Sequence, residues 1–396
     1  MKNFFPISLP GVVAGKIRDL NYFSFNDMLL VFACDSDGGV GPLPKDESYR
    51  SAEIAGKMYP KCVLMELLAC GAEIIAVYND FCYEESNYNR EICDSITDLV
   101  VTIGYDPSIV KNSFGTYTEP LSTAYGVTAV GVIRKGALRV CSSRNGDIVC
   151  AIGIPSERMS FDRHMKPADV KLLRDQAFIH EMLPCGSHGI RKEAADLATG
   201  SNLVFVEYAD HLLYSEGTTS CGASAVVLVT LSPGDLERLQ KLDIDKPITV
   251  IGELRGKGNI CDVDALGSNM GWVLTEDGEI ILDNGWVISS IAALSYAKGY
   301  KKDDLSFIPP KDTVCKLATC AIDKLKMLGK KPLLVINDLN FGMKTGGKET
   351  IEALQKLVKL YGMDPLRQLT GSTEDNHIAI QSGYAMRVFG VSRKHS

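Results

Sequence analysis

The chain has 396 residues, of which 45% are hydrophobic and 23% charged, which excludes disorder as its main state and leaves length for two or three domains. Its net charge of −7, from 42 basic and 49 acidic residues, argues against a general binder of nucleic-acid backbones. Twelve cysteines without a Cys-x-x-Cys pair exclude a zinc ribbon and a disulfide scaffold; set in apolar runs such as LLVFACD, they read as buried thiols of a cytoplasmic protein.

The N-terminal stretch has no continuous apolar core, so it is not read as a secretory signal. Residues 28–35 (MLLVFACD) read as a buried strand and 36–50 as a Gly/Pro/Asp loop. The spacing predicts a helix over 51–71, kinked or divided at Pro60. Residues 72–80 return as a strand, 89–104 as a helix and 124–133 as a strand. In the middle segment, 149–155 is a strand and 167–183 a helix. A turn (PCGSHG, 184–189), a further helix and three apolar runs follow. Apolar runs such as AVVLVTL (225–231) stop at strand length, which excludes a membrane span. Strands alternate with helices, giving an α/β plus α+β reading. Its expected domains are 1–145, 146–265 and 266–396.

The third segment repeats part of the first. Residues 72–107 lie over the C-terminal sequence at a shift of 258, pairing Asn79 with Asn337, Asp80 with Asp338 and Pro107 with Pro365. One inserted residue later, 113–132 lies over 372–391.

The loop ACDSDGGVG (33–41) carries the strongest chemistry. Asp35 and Asp37 have the oxygen chemistry that holds Mg²⁺, and Gly38, Gly39 and Gly41 let a backbone approach phosphate oxygens; an ordinary Asp/Gly turn reads the same way. Glu66 interrupts an apolar helix and Asp80 ends a strand, so both are further candidate metal ligands or solvated element ends. The second copy offers Asn337, Asp338, Glu374 and Asp375. Gly186 and Ser187 open a helix, where amide groups suit an anion or simply a capping turn. No Ser/His/Asp or Cys/His pairing stands out.

In that order, ACDSDGGVG, VLMELLACGAE, the Asn-Asp strand end and GSTED resemble the AIR synthase-related (PurM-like) superfamily. HEMLPCGSHGIRKEAADLA and YSEGTTSCGASAVVLV resemble its α-ribazole kinase branch, of cobalamin lower-ligand metabolism. The resemblance implies a PurM-like first domain, a PurM-like α+β second domain, and ATP-dependent phosphoryl transfer with Mg²⁺ held by acidic residues. It carries acidic site residues to Asp35, Glu66, Asp80 and Glu374, the first three as metal ligands; beside it, the residue chemistry makes Asp35 and Asp37 the expected catalytic pair and Gly38, Gly39, Gly41, Asn79, Glu374 and Asp375 the expected nucleotide contacts. Gly186 and Ser187 would face the acceptor. Two departures matter. The first copy reads NSFGTYTEP where the family has its acidic loop, and the second keeps GSTED without an Asp-x-Asp-Gly-Gly loop before it. The expected function is therefore an ATP- and Mg²⁺-dependent kinase or synthetase acting on a small, ribosyl-containing acceptor; the alternative is a non-catalytic nucleotide or metabolite sensor. Expected partners are a small molecule, with neither nucleic acid nor membrane. The chain would be a monomer with an internal pseudo-dimer, or a homodimer.

Overall fold

The computed structural model describes residues 5–116, 119–155, 161–257, 271–299, 301, 303–340, 346–373 and 380–394. Contacts divide them into two units. One takes Leu64–Glu73 with the described residues from Val132 to Lys257. The other joins the remaining first-segment residues to those from Gly271 onward.

The first unit is α+β. Its antiparallel sheet has the order Ile179–Cys185, Val226–Leu231, Ile148–Ile152, Ile248–Arg255, Val204–Glu207. Helix Gly189–Gly200 places Ile190, Ala194, Leu197 and Ala198 on one stripe, and these pack with Val149, Leu183 and Leu228 in one apolar core. The inner strand Val226–Leu231 is buried throughout, as its unbroken apolar run requires.

The second unit contains two large sheets and a short two-stranded one, Val40–Gly41 with Ser48–Tyr49. Seven strands run in the order Phe5–Pro6, Val12–Ile17, Leu20–Phe25, Met28–Gly38, Ala124–Arg134, Glu73–Phe81, Val110–Phe114. Six run Trp272–Leu274, Ile280–Leu282, Trp286–Tyr296, Gly383–Arg393, Lys331–Leu339, Leu369–Thr373. Strand Gly383–Arg393 shows why both faces are covered. Tyr384, Met386 and Val388 join the core beneath helices Pro310–Met327 and Gly347–Leu360, while Phe389 meets Phe32 of the other sheet at 4.9 Å between ring centroids. Phe25 meets Trp286 in the same way at 5.3 Å. The mixed α/β and α+β architecture agrees with the sequence reading.

Four local expectations change. The helix expected over 167–183 ends at Arg174, and Ile179–Cys185 is instead a strand of the first unit's sheet. Strand Met28–Gly38 runs past the expected start of the loop, so Asp35 and Asp37 lie on a strand. Helix Ala52–Ala69 continues undivided through Pro60, because burial along the helix outweighs the lost hydrogen bond. Strands Val12–Ile17 and Leu20–Phe25 form a hairpin that the sequence reading left out; its turn uses Arg18 at φ 53°.

The repeat also reaches further upstream than the shared residues do. Helices Ala52–Ala69 and Pro310–Met327, and strands Met28–Gly38 and Trp286–Tyr296, stand at the same 258-residue shift. So do strands Glu73–Phe81 and Lys331–Leu339. Loop chemistry is repeated as well. Asp46 accepts from Leu43 N, Thr123 N and Thr123 Oγ1 at 2.9, 2.6 and 2.7 Å. Asp304 accepts from Lys301 N, Ser382 N and Ser382 Oγ at 2.9, 2.7 and 2.8 Å.

Candidate functional site

The Asp/Gly segment packs against the protein's own chain. Residues Ser36–Gly41 are buried. A Cβ on Gly38 would stand 3.1 Å from the Asn340 side chain, and one on Gly41 would run into Thr123 Oγ1. Gly39 takes φ +81° and donates to Thr123 O at 2.8 Å. These glycines therefore allow close internal packing. Asp37 is fully buried. Asp35 is half-buried and accepts from Ser36 N at 2.9 Å and Ser372 Oγ at 3.2 Å. Burial is the main cause that lifts its carboxyl to about 6, against those two hydrogen bonds.

Between the sheets lies a charged layer that includes a residue the sequence reading missed. Arg387 reaches Asp80 with Nε to Oδ2 at 2.8 Å and Nη2 to Oδ1 at 2.5 Å, and it also donates to Ser113 and Ser290. Both side chains of the pair are almost fully buried. A lone arginine in the apolar run YAMRVFGV was the available signal, since a buried cation requires a partner. Asp338 lies beside the pair, where burial first, then Asp80 and Asp35, push its carboxyl well above the usual range. Asp80 is thus neutralised by a guanidinium.

Mg²⁺ does not fit this set. Among the described residues no group of three His, Cys, Asp or Glu side chains converges as a metal site. Of the three expected ligands, Asp80 is held by Arg387. Glu374 and Asp375 lie outside the described residues.

An open cleft of about 420 Å³ lies in the second copy. It is lined by Lys16, Asn337, Ile351, Gln355, Leu369 and Thr373, among others. It runs along the edge strand Leu369–Thr373 and reaches the carboxyl ends of two parallel strands, the usual ligand position in such sheets. Asn337 is 2% exposed and lines the cleft. Lys16 Nζ donates to Thr370 Oγ1 at 3.2 Å on the rim.

The corresponding place in the first copy is filled. Asn79 donates to Asn112 Oδ1 at 2.8 Å, where the second copy has Asn337 and Gly371. Phe81 stacks on Phe114 at 5.4 Å, and the turn at Glu276–Gly278 accepts from Lys111 and Tyr78. A Cβ at Gly371 would collide with Asn337 O, so glycine is required where the cleft opens. Asn79, expected at the nucleotide, is instead part of this filling.

In the α+β unit, the Gly186–Ser187 turn leads into helix Gly189–Gly200. Gly217 O already accepts from Arg191 N at 2.8 Å near the start of that helix. Glu66 is half-buried there and lies near the Cys185 thiol. Sequence reasoning also missed Glu181. Its buried carboxylate accepts from the N–H groups of Cys141, Ser142 and Ser143 at 2.8–3.0 Å and from the Ser143 and Ser201 hydroxyls at 2.7 and 3.1 Å. That cradle is an anion site occupied by the chain itself.

No protein-family model matches the sequence, and no curated protein matches it. Solved structures do. PurLQS from Thermotoga maritima aligns at TM-score 0.62 and 14% identity, over 96% of this chain and 74% of that one. T. maritima PurL complexed with ADP aligns at 0.60 and 15%, over 99% and 75%. The same protein complexed with ATP aligns at 0.59 and 15%, over 97% and 74%. At such low identity the likeness establishes the fold, which is PurM-like. No helix among the described residues is long and apolar enough to cross a membrane.

Proposed function

We propose that this chain binds one adenine nucleotide, in the cleft of the second copy, as a non-catalytic member of the PurM-like fold. The observation that carries this reading is Asn337, a largely buried amide that lines a cleft at the strand ends. A side-chain amide there can both donate to and accept from a nucleotide. Ile351, Leu366 and Leu369 offer apolar surface for a base, and Lys16 offers a cation for phosphate. The neutralised Asp80 and the absence of a three-acid cluster among the described residues favour binding over turnover. That PurL, of the same fold, has been seen with ADP and ATP supports the choice of ligand.

A second reading is ATP-dependent phosphoryl transfer to a small ribosyl-containing acceptor of the α-ribazole type. It is favoured by Glu374 and Asp375, which continue the sequence directly from the cleft residue Thr373. In either reading the pairing of copies inside the chain replaces a dimer, and a monomer is the expected solution state.

Calorimetry with ATP and ADP, with and without Mg²⁺, tests the site. Asn337→Ala should weaken binding by about 1 kcal/mol, or roughly fivefold, with the fold intact. Nucleotide affinity untouched by that change would move the site elsewhere, and ATP consumption with α-ribazole would promote the second reading.

A further inference from the structure

The α+β unit holds two thiols that the nucleotide reading does not use. Cys185 ends strand Ile179–Cys185, and Cys221 precedes strand Val226–Leu231. Both are fully buried, and their sulfurs lie within hydrogen-bonding reach of each other. The backbone fixes this approach: Cys221 N donates to Gly186 O at 3.1 Å, and Cys185 pairs with Val226 in the sheet register. Side chains brought together one residue from a backbone hydrogen bond have the kind of spacing that a disulfide spans.

We propose that Cys185 and Cys221 form a redox-sensitive dithiol that closes an intrachain disulfide when the chain meets a hydroperoxide. One thiolate attacks the peroxide O–O bond and becomes a sulfenic acid, releasing an alcohol. The second thiol then displaces water and the S–S bond forms. Two thiols and one hydroperoxide give one disulfide, one alcohol and one water; sulfur is oxidised and the peroxide oxygen reduced.

Burial governs the rate. It pushes the Cys185 thiol well above its ordinary value, with the neighbouring Cys221 thiol next and then Glu193 and Glu66 adding to the effect. The closed unit therefore holds Cys185 as an unreactive thiol, and oxidation proceeds through opening of the segment that carries Cys221. That segment has little regular structure: Leu212 is 87% exposed and Tyr214 44%, and its one helical element is the single turn Tyr214–Glu216. The disulfide would pin it to the strand end, directly before Gly186 and Ser187.

The test treats the full chain with tert-butyl hydroperoxide at neutral pH, followed by proteolysis without reductant and mass spectrometry. The expected product joins the Cys185 and Cys221 peptides. Its formation should speed up several-fold in mild urea, and its thermal midpoint should rise by about 5 °C until dithiothreitol is added. Cys221→Ser should abolish both the joined peptide and the rise. If Cys185 and Cys221 are recovered as separate alkylated thiols while exposed Cys320 is oxidised, or if Cys221 ends as a sulfinic acid without a cross-link, the proposal is overturned. The wild-type peptide map decides this even if Cys221→Ser fails to fold.

Discussion

Helices Ala52–Ala69 and Pro310–Met327 have the same length and stand 258 residues apart, yet they meet different surroundings. Both bury the shared apolar positions Leu64/Ile322 and Leu67/Leu325. The first also buries Met65, Leu68, Ala69 and Cys70, because residues 64–73 form one compact unit with the α+β segment; Arg139 N binds Cys70 O there, and Arg174 binds Ala72 O and Glu73. The second has Asp323, Lys326, Met327 and Leu328 at those positions, and all four are exposed. A helix apolar on every side needs cover on every side, whereas an amphipathic one needs a single core. The comparison separates what the repeat must keep, an apolar stripe and the Asp46/Asp304 loop anchor, from what its neighbours decide.

The sharpest way to break the likeness is to make the copies more alike between the sheets. Arg387 corresponds to Thr128, so Arg387→Thr gives the second copy the first copy's residue. It would leave Asp80 as a buried carboxylate without its counter-charge, and unfolding in urea should show a loss of about 3–5 kcal/mol. Adding Asp80→Asn should restore much of that loss. A loss below about 1 kcal/mol would mean that the pair does not hold the copies together.

The helices offer a reciprocal exchange. Leu68→Lys places a charge at a fully buried position and should cost about 2–4 kcal/mol. Lys326→Leu changes an exposed position and removes a contact with the Tyr361 ring at 4.7 Å, so it should stay within about 1 kcal/mol. Similar losses from both changes would contradict the difference in cover.

Much of this architecture was legible in the sequence. The apolar runs 28–35, 72–80 and 124–133 mark strands, and the Asn-Asp and Asp-Pro pairs reveal the repeat. Its upstream half was hidden because MLLVFACDSDG and WVISSIAALSY share periodicity but almost no residues. With Ala293 opposite Asp35 and Ser295 opposite Asp37, the second strand keeps the fold and loses the acids. The site was less legible for a physical reason. Acids beside glycines look alike whether they face a ligand or the chain itself, and the cover on Asp35–Gly41 comes from Ser372 and Asn340, more than 300 residues away in sequence. The cleft depends on Gly371 standing where Asn112 fills the first copy, a contrast that acquires meaning only when Asn337 is seen behind it.

A smaller effect than either buried disruption should come from Asp338, which occupies the space left by the missing Cβ of Gly126. Its carboxyl, like that of Asp35, is raised by burial. A raised carboxyl means that the folded chain holds the proton more tightly than the unfolded chain does. Stability is then greatest below the unfolded value, near 4, and falls as pH rises toward the folded value. For Asp35 that loss is complete just above about 6; for Asp338 it continues further upward. Asn is nearly isosteric, keeps an oxygen to accept from Ser372 N, and cannot ionise. Asp338→Asn should therefore leave stability at pH 4 nearly unchanged and add about 1–2 kcal/mol at pH 8, flattening the decline between them. Urea unfolding at the two pH values measures this directly. An equal gain at both would trace the effect to packing, and a loss at pH 8 would show that the ionised carboxylate is an asset to the charged layer between the two copies.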